Sequence, residues 1–343
     1  MLSQLAKNIS RSNIAVDLGT ANTRIYSTLH DEVIEKPSVT GLLTGKSSNE
    51  YFQYINDRIS TKPLRGGVIV DLRNATNLLK PLVKKSRKLF FSPIALASAP
   101  TGATEKERGL LRTALIDAGA LHVSIIPEIW AAAIGAGIDM TLPNAQLLVD
   151  IGDGVTDMAV FRGGDIIYWS SVRIACSDLQ RSIRTAVMTK YKMQLYDDSI
   201  EKLTHVISSM INEQDYQAES FTLSGIDMVQ KKKVNCCIDK RDIISSLAPV
   251  VDKIIAIIEK ILQQLPEKIF CEIRGTGIHL TGGGACIEGM DRLIAVRTNM
   301  AVRISSDPLH SVINGAIQTL NYWNGKKCWW ENLVWPKFVL SAH

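Results

Sequence analysis

Apolar, β-forming runs that end in turn residues recur along the chain at Ile14–Val16, Ile94–Ala99, Leu147–Ile151 and Ile278–Leu280. The last three carry few charges, the pattern of strands covered on both faces. Between these runs, apolar positions recur at helical spacing. Thr104 to Gly119 opens with the capping-box spacing of Thr104 and Glu107 and closes at a glycine. From Ile243 to Leu265, the residues Ile244, Leu247, Val251, Ile254, Ile258 and Ile261 fall on one stripe before Pro266. That stripe reads as the core-facing side of a helix rather than as a membrane surface. In "KLFFSPIALA", Phe90 and Phe91 precede a strand and read as part of its core, with an apolar membrane loop as the alternative. Alternating strands and helices predict an α/β fold.

Two strand ends share one design. "IAVDLGTANTRIY" from Ile14 and "LLVDIGDGVTDMAVF" from Leu147 each run apolar strand, Asp, one apolar residue, Gly, small polar turn, apolar strand. An internal repeat so widely separated predicts two related halves facing each other. The turns Gly19, Thr20, Ala21, Asn22 and Gly152, Asp153, Gly154 offer backbone N–H groups with little side-chain bulk, and a concave array of such dipoles suits phosphate oxygens. The acids at the strand ends, Asp17 and Asp150, then have a use: through water they can hold a Mg²⁺ that bridges the phosphates. A third element, "IHLTGGGACIEGM", runs a strand into Gly282, Gly283, Gly284 and Ala285 and leaves on a helical pattern. Bare backbone there lets a flat ring or a sugar lie close.

At 343 residues the chain is long enough for two domains, because one hydrophobic core rarely grows beyond about 250–300 residues. A composition of 46% hydrophobic and 21% charged residues is that of an ordinary globular protein. The net charge of +5 is mild and scattered. Its one tight run, Lys231, Lys232 and Lys233, reads as a solvated loop. Nucleic acid is therefore not an expected partner, whereas an anionic membrane surface stays open. The six cysteines form no C-x-x-C pair and no metal-ligand spacing. The N-terminus lacks the apolar core of a signal peptide, and no apolar stretch approaches the roughly 20 residues of a spanning helix. A reducing cytoplasm is the expected location.

The motifs resemble those of the actin superfamily of ATPases, and most closely its bacterial MreB branch. "DLGTANTRIY" is nearly that family's first phosphate motif, and "APTGATEKERGLLRTALIDAGALHVSIIPEIWAAAIGAGI" is similar to a second long signature. "SSVRIA", "LTGGGA" and "SDPLHSVINGA" fit as well, so the resemblance runs from Ile14 to Leu320. It implies the duplicated actin-like, ribonuclease H-like fold, with an interdomain nucleotide cleft and a smaller outer subdomain on each half. The expected organisation is a first domain over 1–145, with a shortened outer part at about 31–64 and completed by about 308–325. A second domain is expected over 146–307, with an outer part at about 180–242, followed by a tail over 326–343.

The resemblance also implies ATP or ADP with Mg²⁺ as cofactors, water-mediated Mg²⁺ contacts from Asp17 and Asp150, and a role for Glu128 in positioning the water that attacks the γ-phosphate. From the residues alone, Glu128 is an acid opening an apolar helix, favoured there by the helix dipole. Glu201 and Lys202 correspond to the ribose-facing helix, and Gly282, Gly283, Gly284 and Ala285 to the adenosine-side loop. Self-association into filaments on the inner face of the membrane is implied, with membrane-protein partners as a further option. Two segments could touch that membrane: the N-terminal "MLSQLAKNI" and the tail "NYWNGKKCWWENLVWPKFVLSAH", where aromatic rings stand beside lysines. The tail could equally pack on the protein itself.

Departures from the family pattern define the alternatives. Asp153 stands where MreB usually has glycine, whereas actin itself carries a similar "GDGVT". "EKLTHVIS" carries Thr204 and Val206 in place of charged residues and Ser208 in place of a glycine, and "RIACS" (Arg173 to Ser177) replaces a glycine-rich pattern. The expected function is an MreB-like cytoskeletal ATPase in cell shape or intracellular organisation. A nucleotide-binding scaffold or adaptor that cycles weakly or not at all is the first alternative. A small-molecule kinase of the same superfold is the second, although no substrate-facing acid for it can be located.

Overall fold

The computed structural model describes residues 12–40, 61–87, 91–210 and 220–322. These fall into two compact units. One draws on Met1–Thr40, Thr61–Asp139 and His310–His343, and the other includes Met140–Leu309.

The first unit begins with β1 (Asn13–Leu18), β2 (Asn22–Ser27) and β3 (Glu32–Pro37). A short hairpin, β4 (Leu64–Arg65) and β5 (Val68–Ile69), leads into α1 (Leu72–Lys85), whose N-cap Asp71 accepts from the Asn74 N–H. Then come β6 (Ile94–Ala99), α2 (Glu105–Asp117), β7 (His122–Pro127) and α3 (Glu128–Gly135). The capping box expected at α2 is present: the Thr104 hydroxyl accepts from the Glu107 N–H, and Glu107 reaches back to the Thr104 N–H. Its sheet has the order β3-β2-β1-β6-β7, with β1, β6 and β7 parallel. Ile14, Val16, Leu79, Val83, Ala97 and Leu115 fill the core on one side. Glu32–Pro37, within the stretch expected as an outer part, is the edge strand of this main sheet. Phe91 lies outside β6 and is 39% exposed, so it does not belong to the strand core expected of it.

The second unit repeats the plan. It holds β8 (Gln146–Ile151), β9 (Thr156–Arg162), β10 (Asp165–Val172) and α4 (Cys176–Tyr191). These are followed by β11 (Met193–Leu195), α5 (Asp197–Thr204), β12 (Ser220–Asp227) and β13 (Lys232–Asp239). Next are α6 (Lys240–Gln264), α7 (Glu267–Thr276), β14 (Ile278–Thr281), α8 (Met290–Thr298) and β15 (Val302–Ile304). The order β10-β9-β8-β14-β15 has the same logic as the first sheet: an antiparallel meander beside parallel strands. A separate three-stranded sheet, β11-β12-β13, lies within residues 193–239. The apolar stripe of α6 is buried from Ile243 to Leu262, with Leu247, Val251, Ile254 and Ile258 fully enclosed. Each such side chain contributes about 1.5–3 kcal/mol of burial, which makes α6 a principal support of this unit. Lys231 sits in the β12–β13 turn, and Lys232 and Lys233, both exposed, open β13.

The chain returns to the first unit as α9 (Ser311–Tyr322). A Cβ on Gly135 of α3 would run into Ser311 backbone, and one on Gly315 into Ala131 backbone. The two helices therefore touch main chain to main chain, and this seam fixes the helix that Glu128 begins. Among the described residues, no helix is long and apolar enough to cross a membrane. The N-terminal segment and the Trp-rich tail lie outside the described residues.

Candidate functional site

The repeat read from the sequence becomes two hairpins of matching register. In the first, β1 pairs with β2 so that Asp17 faces Arg24 and Leu18 faces Thr23. In the second, β8 pairs with β9 so that Asp150 faces Asp157 and Ile151 faces Thr156. Each turn closes with the same bond, Gly19 N–H to the Asn22 carbonyl at 3.1 Å and Gly152 N–H to the Val155 carbonyl at 2.9 Å. Glycine is required at the first position because a Cβ there would sit 2.8 Å from the Asn22 carbonyl oxygen.

Each turn is also buckled to its scaffold through its carbonyls. The Ser38 hydroxyl donates to Gly19 O at 2.6 Å, the Ser38 N–H donates to Ala21 O at 2.8 Å, and Ser38 Oγ lies 2.8 Å from Thr23 Oγ1. In the second hairpin the first N–H groups of α4 do this work: Cys176 N–H to Gly152 O at 3.2 Å and Ser177 N–H to Asp153 O at 2.9 Å. A trans peptide points its N–H opposite to its carbonyl, and no cis bond occurs among the described residues. The N–H groups of Thr20, Asp153 and Gly154 therefore point away from the groups that hold the loops. Thr20 is further fixed by its hydroxyl, which accepts the Gly67 N–H at 3.0 Å.

The acids occupy the carboxyl ends of buried strands. Asp17 is 5% and Asp150 4% exposed. Burial pushes the Asp17 carboxyl above the usual carboxylate range, while the Arg24 guanidinium works against that shift. Asp17 aligns with Ser98 on β6, and Ser98 aligns with Ile126 on β7. Glu128, half-buried at the start of α3, lies two residues past Ile126 on this same sheet edge. Two strand spacings, about 10 Å in all, separate its strand from that of Asp17.

In the second unit, Asp150 aligns with Thr281 on β14. The next residue, Gly282, has φ +82, and a Cβ there would collide with Asp150 Oδ1 and the Ile151 carbonyl. Gly284 lies as closely on the Ile151 side chain, whereas Gly283 would meet only Leu309 Cδ2 at 3.9 Å. The glycine loop is thus laid directly on the second acid. The predicted helix after it begins late: a 3-10 turn, Gly283–Cys286, precedes α8. Gly289, where α8 is capped, packs on the Ser208 backbone, so the segment after α5 borders the glycine loop. Glu201 and Lys202 lie in α5, but their side chains are outside the described residues.

Asp17, the Gly19–Asn22 turn and Glu128 thus gather on one sheet edge of the first unit. Asp150, Gly152, Asp153, Gly154 and Gly282–Ala285 gather in the second. Burial, and after it the negative charges of Asp153 and Asp150 nearby, push the Cys176 thiol above its ordinary range. A bound cation would relieve that charge. Among the described residues no cluster of three or more His, Cys, Asp or Glu could ligate a metal directly. The buried carboxylates at the strand ends are hard oxygen donors, the kind through which a hydrated Mg²⁺ can be held.

Sequence reasoning missed Ser38, Arg24 and Gly67. Arg24 is an ordinary polar residue within a strand and Ser38 one just past a strand end, and only the tertiary pairing reveals their targets. Gly67 sits in the "RGGV" turn, a signal for a tight bend but not for what the bend touches.

The MreB/Mbl protein family model matches residues 11–327. The cell shape-determining protein Mbl of Bacillus subtilis (strain 168) is 28% identical over 316 residues, covering 88% of this chain and 94% of its own. The cell shape-determining protein MreB of Escherichia coli (strain K12) is 29% identical over 325 residues, covering 90% and 93%. Among solved structures, MreB5 of Spiroplasma citri bound to ADP superposes with a TM-score of 0.77 at 29% identity, covering 92% of this chain and 99% of that one. The fold is actin-like, and the chain belongs to the MreB/Mbl family.

Proposed function

We propose that this protein binds Mg-ATP, with the phosphates gripped by the two hairpin turns and the adenosine side lying on Gly282, Gly283, Gly284 and Ala285. Asp17 and Asp150 hold the hydrated Mg²⁺, and Glu128 orients the attacking water in a slow hydrolysis that serves assembly turnover. Glu201 and Lys202 contact the ribose. The nucleotide drives self-association into cytoplasmic filaments that serve cell shape or internal organisation, peripheral to the inner face of the membrane.

One observation carries the reading. The two turns share the same strand register and closing bond, each with two carbonyls fastened to the scaffold and an acid at the preceding strand end. That arrangement exposes N–H dipoles beside a carboxylate, the chemistry that a metal-bound polyphosphate needs. The ADP held by the similar MreB5 supports the choice of a nucleotide. Sedimentation with and without ATP tests the assembly step. ATP-dependent pelleting supports filaments, whereas nucleotide binding without pelleting would favour the scaffold or adaptor reading.

A further inference from the structure

The two hairpins match in backbone but differ in charge. Opposite the strand-end acid, the second hairpin places another acid, Asp157, while the first places Arg24. Arg24 is only 8% exposed. Its Nη1 donates to Asp17 Oδ2 at 3.3 Å, and its Nη2 donates to Glu35 Oε1 at 2.8 Å. Glu35 Oε2 in turn lies 3.4 Å from His310 Nε2. The guanidinium, carried by β2, is therefore a planar fork between two carboxylates on the flanking strands, β1 and β3. A rigid fork fixes orientation as well as charge, which a lysine in its place could not do.

The fork divides the work of Asp17. Its Oδ2 is taken by Arg24, while its Oδ1 lies 3.9 Å from where a Cβ on Gly19 would stand, on the side of the phosphate turn. We propose that Arg24 is a positioning residue for the first acid: it anchors one carboxylate oxygen so that the other addresses the water shell of the Mg²⁺. This rests on the nucleotide reading above.

The test compares ADP binding by calorimetry with excess Mg²⁺ and with EDTA in the parent, Arg24→Met and Arg24→Lys, with folding checked by circular dichroism. The quantity of interest is the ratio of the two affinities. An anchored carboxylate is worth a charge-assisted hydrogen bond, so Arg24→Met should lower the ratio by about tenfold or more. Arg24→Lys keeps the charge without the fork and should fall between parent and Met variant; it also serves if the Met variant does not fold. An equal loss with and without Mg²⁺ in the folded Met variant, or an unchanged ratio in Arg24→Lys, would overturn the proposal. Failure of the parent to bind ADP at all would sink the nucleotide reading and this proposal together.

Discussion

Gly282 and Gly283 are neighbours with opposite physical roles, and exchanging each for alanine separates support of the fold from contact with a ligand. At Gly282 the backbone has φ 82° and ψ 177°, a region essentially restricted to glycine, where an L-residue costs about 1–3 kcal/mol. The new methyl would also lie inside the 3.0 Å distance that Cβ atoms keep, against Asp150 Oδ1 and the Ile151 carbonyl. Neither can yield cheaply, since one is backbone and the other a buried side chain. Overpacking of this kind adds about 1–3 kcal/mol. Gly282→Ala should thus cost about 2–6 kcal/mol, a fall in Tm of roughly 4–24 °C for a domain of this size. At Gly283 a Cβ meets ordinary contact only, Leu309 Cδ2 at 3.9 Å, so the stability of Gly283→Ala should stay within about 0.5 kcal/mol of the parent. If the adenosine lies on that bare backbone, Gly283→Ala should still weaken ADP binding, by about tenfold or more from the same overpacking. Differential scanning calorimetry reads the first effect and isothermal titration the second. Equal losses of Tm in the two variants would refute the packing argument.

Three further outcomes follow from single residues. Glu128→Ala should slow phosphate release by about a hundredfold or more while leaving ATP affinity largely intact; equal turnover in variant and parent removes Glu128 from its role. Ser38→Ala strips the hydroxyl from Gly19 O and Thr23 Oγ1. It should cost about 1–3 kcal/mol, as for partners left unsatisfied in a buried site, and an unchanged urea midpoint would show that the turn is held by other means. Glu272 accepts the Ala145 N–H and a bidentate pair from Arg162, and these bonds hold its carboxyl below the ordinary 4.5. A depressed folded-state pKa stabilises above the unfolded value and is lost as the pH falls through the folded one. The parent should therefore lose Tm on acidification below about pH 4.5 more steeply than Glu272→Gln; parallel curves would contradict the assignment.

Much of the fold was legible because its signals are local. The strand runs at Ile94–Ala99 and Leu147–Ile151, the capping box at Thr104 and the stripe of α6 each depend on residues near in sequence, and each element formed where those residues stand. The duplicated hairpin was legible for a different reason. A turn that keeps its carbonyls engaged admits few residues, so glycine and small polar side chains recur at fixed offsets. What escaped depends on pairing across distance. Nothing in "KPSVT" marks Ser38 as the anchor of a turn nineteen residues away, and nothing in "NTRIY" says that Arg24 lies beneath the acid opposite it. Phe91 misled for a related reason: aromatic residues beside a strand suggest a core, yet whether they enter it depends on where the strand starts, here at Ile94.

The central claim, a magnesium-bound triphosphate held by both acidic turns, is tested most directly by titrating ATP into the parent with and without Mg²⁺ and repeating the titration with Asp150→Ala. The expected result is saturable binding at one site that weakens when the metal is chelated and weakens again in the variant. Absence of binding at millimolar ATP, or affinity indifferent to both the metal and Asp150, would contradict it.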